Sequence, residues 1–229
     1  MKQTIESNKI HYYHPVKHDA LRRFTEELSS YLKDAVTMHR PVVFLCIGSD
    51  RATGDSLGPF IGQQLLERRF RSTKKEEPSR SSHSLFRSFL PPSKPRPKGS
   101  SLVYGTLHTP VHAVNLAQTI SHIYSRFKNP YLVAIDAALG ARNHIGSVTL
   151  ASGSLLPGIG VNKQLPSVGD VHITGIVNTL DCDNRNRVLQ TTHLATVVDL
   201  SSFVSHGILD ALYDCSITYP SAPPMPGRE

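Results

Sequence analysis

PVVFLCIGSDRATGDSLGP, residues 41–59, passes from an apolar run into a glycine-bounded bend and then into a helix start. Val42, Val43, Phe44, Leu45, Cys46 and Ile47 are apolar without alternation, the pattern of a strand covered on both faces in a parallel sheet. Gly48 ends that strand, and Gly54 supplies a tight or left-handed turn. Asp55 then stands at an N-cap position ahead of Leu57, Ile61, Leu65 and Leu66 at helical spacing, where a helix N-terminus favours negative charge. The commonest use of such an aspartate is capping alone. A phosphate-binding loop is excluded: its G-x-x-x-x-G-K-[ST] motif is one residue shorter than the Gly48 to Gly54 span, and Asp55 replaces its lysine.

Before this stretch, residues 18–36 carry Leu21, Phe24, Leu28, Leu32 and Ala35, the stripe of an amphipathic helix over one sheet face. After it, residues 71–100 hold eight basic and two acidic side chains amid serine and proline, which predicts a disordered basic insertion. The chain's net charge of +7 is concentrated there, and no aromatic-rich basic motif accompanies it, so direct nucleic-acid binding is not expected.

A chain of 229 residues with 39% hydrophobic content supports a single α/β domain over residues 1–217, followed by a proline-rich tail, 218–229, expected to be disordered. The opening MKQTIESNKI has no apolar signal core, and no run approaches the roughly 18 apolar residues of a membrane span, so a cytoplasmic protein without membrane association is expected. Cys46, Cys182 and Cys215 are odd in number and without a C-x-x-C pair, which supports neither a disulfide framework nor a zinc knuckle.

Residues 101–106 read as a short strand, and Thr109-Pro110 as the start of a helix reaching about residue 127. His108 and His112 are four apart, but without the glutamate of H-E-x-x-H, and with Pro110 between them, they read as solvated or structural. Residues 131–135 form a second buried strand that delivers Asp136 at its carboxyl end, where open parallel sheets gather their ligands. A polar loop over 137–145, a strand over 146–152 and a long loop over 153–168 with the cation Lys163 are expected next. Gly169-Asp170 reads as the start of a helix, VHITGIVNTL, carrying His172 towards the same crevice, with 181–187 a polar turn and 194–212 a last helix.

Four motifs in this order, GSDRATGDSLGP, AIDAALGAR, LPGIGVNKQLPSVGD and HITGIVN, resemble the YyaC group of sporulation proteins, which is related to the spore germination protease and, more distantly, to the hydrogenase maturation endopeptidases. The resemblance implies a three-layer α/β/α sandwich with a twisted, mainly parallel sheet, phosphorylase/hydrolase-like. It implies a spore-associated endopeptidase, in the forespore or spore core, in which Asp55 and Asp136 act on water without a cofactor to cleave a protein such as a small acid-soluble spore protein. The maturation branch implies an alternative, in which Asp55, Asp136 and His172 of the H-x-x-G setting hold nickel or zinc. Lys163 would support substrate or oxyanion charge in either chemistry. A non-catalytic sporulation protein binding a partner through the crevice is the third reading.

Overall fold

The apolar run after Pro41 forms strand β2, Val42–Cys46, buried on both faces and central in its sheet. The computed structural model describes residues 10–74, 99–157, 165–181, 184–218 and 221. Among them, β1 (His11–Tyr13), α1 (Ala20–Thr37) and β2 are followed by a 3₁₀ turn, Gly54–Ser56, and by α2 (Leu57–Lys74). Then come β3 (Ser101–Tyr104), α3 (Leu116–Arg126), β4 (Tyr131–Gly140), β5 (Val148–Ser152), β6 (Val171–Thr179), α4 (Arg185–Gln190) and α5 (Leu194–Asp214). The described strands make one six-stranded sheet in the order β1-β5-β6-β4-β2-β3. β6, β4, β2 and β3 run parallel, while β5 is antiparallel to β6 and to β1. The mixed α/β class and the largely parallel sheet match the sequence reading.

Alternation within the central strands sends side chains into two cores. Phe44 and Cys46 of β2 and Val133 and Ile135 of β4 join Phe24, Leu28 and Leu32 of α1, Ile61 and Leu65 of α2, and Val204 and Ile208 of α5. Gln64 ties α2 to α5 within that layer, donating to Ser201 Oγ (3.0 Å) and accepting from Ser205 Oγ (2.7 Å). On the other face, Val43, Leu45, Leu132 and Ala134 meet Leu116 and Ile123 of α3. Helices on both faces of the sheet make the three layers.

Connectivity then fixes where a site can form. From β2 the chain goes through α2 to β3 on one side, and through α3 it returns to β4 on the other side of β2. The carboxyl ends of β2 and β4 are therefore a topological switch point, the place where open α/β sheets leave a crevice.

Several local expectations are corrected. The segment after Asp170 is strand β6, not a helix. Val171, Ile173, Thr174, Ile176, Val177 and Thr179 are β-branched, which suits a pleated surface better than a helix. Asp170 caps no helix: its carboxylate accepts from the Leu132 N–H (2.8 Å) and pairs with Arg40 (2.8 Å), stapling the start of β6 to β4. α3 begins at Leu116 rather than after Pro110, because Val111 forms a parallel bridge with Ile47 and Asn115 Oδ1 accepts from the His112 N–H (2.8 Å). β4 continues through residues 137–140, which were expected as loop, since β6 remains alongside as its partner. α4 occupies part of the expected polar turn, with Asn184 Oδ1 accepting from the Arg187 N–H (3.1 Å).

The basic insertion largely coincides with residues 75–98, outside the described residues, and α2 reaches Lys74 before it. Within the stretch expected as an unpacked tail, Ser221 bridges Leu102 on the outer edge of β3. Among the described residues no helix is long and apolar enough to cross a membrane.

Candidate active site

The loop after β2 is shaped by a glycine that no other residue replaces. Gly48 has φ +139°, and a Cβ there would lie 2.0 Å from the Asp55 carbonyl oxygen. The bend therefore closes on itself, with the Ser49 N–H donating to the Asp55 carbonyl (3.1 Å) and the Ser49 hydroxyl donating to Asp55 Oδ2 (2.8 Å). Gly54 lies outside the left-handed region, and its role is space: a Cβ would meet Thr192 Oγ1 at 2.8 Å and Leu189 Cδ2 at 2.9 Å. α4 and the residues after it thus press on the turn that carries Asp55.

Asp55 sits within the 3₁₀ turn rather than at its cap, which is Thr53, and its described side-chain hydrogen bond is to Ser49. The capping reading therefore lacks its hydrogen bond, while the carboxylate stands half-buried at the mouth of the crevice.

Asp136 owes its position to unequal strand lengths. β2 ends at Cys46, opposite Ile135, and β4 runs on beside β6 with Asp136 opposite Thr174. Following Leu132 and Ala134 by alternation, Asp136 faces the α3 side, just beyond the reach of β2. It is 8% exposed, and its Oδ1 accepts from the Ala137 N–H (2.8 Å).

Asp55 and Asp136 line one cleft of about 860 Å³. Ser49, Arg51, His112, Thr174 and Arg185 supply further polar groups to it, and Val114, Leu139, Leu155, Leu156, Leu165, Leu180 and Leu189 its apolar walls. Apolar walls with a few convergent polar groups are the usual build of a binding site. Val114 is 79% and Leu156 57% exposed, so the apolar surface extends to the rim.

His172 does not join the two acids. It stands opposite Ala134, one strand repeat before the Asp136 and Thr174 pair, and its Nδ1 donates to the Gly153 carbonyl (2.9 Å). It is absent from the cleft lining, and among the described residues no three His, Cys, Asp or Glu side chains are grouped as a metal site. The donor set of the metal reading does not fit this arrangement. Lys163 lies outside the described residues.

Sequence reasoning missed His112, Arg51 and Arg185 as cleft residues. The signal for His112 was its place after β3: it follows the bridge of Val111 to Ile47, which carries it to the carboxyl edge beside the Gly48 loop. Arg185 arrives on α4, which the reading of 181–187 as a turn omitted.

The family model described as "Protein of unknown function (DUF1256)" matches residues 12–74 and 94–207. Both aspartates of this chain fall within the matched residues, and residues 75–93, most of the basic insertion, fall outside them. "Uncharacterized protein YyaC" of Bacillus subtilis (strain 168) is 38% identical over 189 residues, covering 82% of this chain and 77% of that protein. By the family match and by this relative, the chain belongs to the DUF1256 family.

Proposed function

We propose that the chain is a germination-protease-like endopeptidase of the sporulating cell, cleaving a protein substrate with Asp55 and Asp136 acting on water. The observation that carries this reading is that two carboxylates, delivered by separate elements, open onto one apolar-walled cleft at the switch point of the sheet.

Peptide hydrolysis needs a base for water and a proton for the carbonyl or the leaving amine. Two carboxylates sharing one proton supply both, as in aspartic proteases. Asp55, at a helix start and accepting the Ser49 hydroxyl, serves as the base, and Asp136 carries the proton. The half-exposed apolar walls suit an extended segment of a protein substrate, and small acid-soluble proteins of the forespore are the class to try first.

The test is incubation with such proteins across about pH 5 to 8, comparing the wild type with Asp136→Asn by mass spectrometry. Cleavage by the wild type and none by the variant supports the reading. A partner bound equally by both proteins, with no cleavage by either, replaces the peptidase with a binding protein.

A further inference from the structure

Resting on that peptidase reading, we infer that His112 donates the hydrogen bond that stabilises the oxyanion. Hydrolysis through a tetrahedral intermediate places negative charge on the former carbonyl oxygen, and removing one donor aimed at that oxygen costs about 10²–10³-fold in kcat. Several donors of the Gly48 loop and of β6 are already engaged. The Gly48 N–H donates to the Val111 carbonyl (2.8 Å), the Ser49 N–H to the Asp55 carbonyl and the Ser49 hydroxyl to the Asp55 carboxylate. The Thr174 hydroxyl is paired with that of Thr149 (2.6 Å), and either of the two can be the donor.

His112 differs from all of these. It follows Val111, whose bridge to Ile47 and bond to Gly48 hold the backbone against the loop that carries Asp55, and it lines the same cleft. Its Nδ1 accepts from the Val114 N–H (3.3 Å), which places the ring proton on Nε2 and makes the neutral imidazole a donor on its far side.

The step balances with water alone. The water oxygen bonds to the carbonyl carbon as its proton passes to Asp55, and the π pair moves onto oxygen, which accepts the Nε2–H of His112. Collapse restores the carbonyl and breaks the C–N bond, and the amine leaves with the proton from Asp136. The proton gained by Asp55 offsets the one lost by Asp136, and His112 donates its hydrogen bond without giving up its proton.

Two measurements decide it. In ¹⁵N spectra of the wild-type imidazoles at neutral pH, His112 is expected as the Nε2–H tautomer. In kinetics, His112→Ala is expected to lose about 10²–10³-fold in kcat with little change in KM, and His112→Gln, whose amide restores a donor, to recover most of it. An Nδ1–H tautomer, or a His112→Ala enzyme with wild-type kcat, overturns the inference and leaves the aspartate reading intact. Absence of cleavage by the wild type overturns both. Should His112→Ala fail to fold, the tautomer and the His112→Gln rate decide.

Discussion

The two faces of the sheet are built for different ends. One is covered by α1, α2 and α5, and its core takes in side chains from β1 to β6. The other carries α3, whose buried residues Leu116 and Ile123 lie over β2, β3 and β4, and beyond them the surface opens into the cleft. On the closed face, an apolar side chain is removed from water and held among many neighbours. On the open face, Val114, Leu156 and Leu180 stay exposed around two acids. Exposed groups of the cleft are therefore expected to contribute less to stability than the side chains buried on the closed face.

Substitutions can break this division or sharpen it. The largest effect is expected at the acids: Asp55→Asn and Asp136→Asn should each lower cleavage by about 10²–10⁴-fold, read by mass spectrometry, with the urea midpoint close to wild type. If either variant unfolds instead, the open face is a structural layer after all. Leu28→Ala on α1, where the side chain is fully buried, should destabilise by about 2–5 kcal/mol in urea titration, while Leu156→Ala at the cleft rim stays within about 0.5 kcal/mol. Gly207→Ala tests how tightly the closed face is packed. Its Cβ would lie 2.4 Å from Phe24 Cδ1, and the forced shift should cost about 1–3 kcal/mol.

The smallest effect is expected in alkali. Burial first, then the Glu27 carboxylate that accepts its hydroxyl, push the Tyr13 phenol well above its ordinary range. A folded-state pKa raised above the unfolded value contributes stability that is complete below about pH 10 and is lost as pH rises further. Thermal unfolding followed above that pH should show a shallower decline in Tyr13→Phe than in wild type. An equal decline would place the alkaline weakness elsewhere than at this corner of the closed face.

What the sequence disclosed follows this same division. The buried strands β2 and β4 and the helices α1 and α5 were legible, because uninterrupted apolar runs and helical stripes report burial directly. That Asp55 and Asp136 would line one crevice was legible, because strand ends in a parallel sheet have a known destination. What escaped depended on partners distant in the chain. β6 was mistaken for a helix because Asp170 resembles a cap, and its true partners, Arg40 and Leu132, belong to other segments. His112 was set aside because its pairing was sought with His108, whereas the bridge to Ile47 determines where it goes. His172 looked promising by motif, yet the register of β6 against β4 carries it one repeat short of the acids.

The pairing of Ser221 with β3 reaches beyond the local fold. The Val103 N–H donates to the Ser221 carbonyl (3.0 Å) and the Ser221 N–H to the Ser101 carbonyl (3.3 Å), so ladder groups of an outermost strand are occupied from within the chain. Uncovered strand margins are templates for self-association. A version of the protein shortened before Ile217 would offer that margin to a second molecule, and recombinant work on the cleft is best begun with the C-terminal segment left in place.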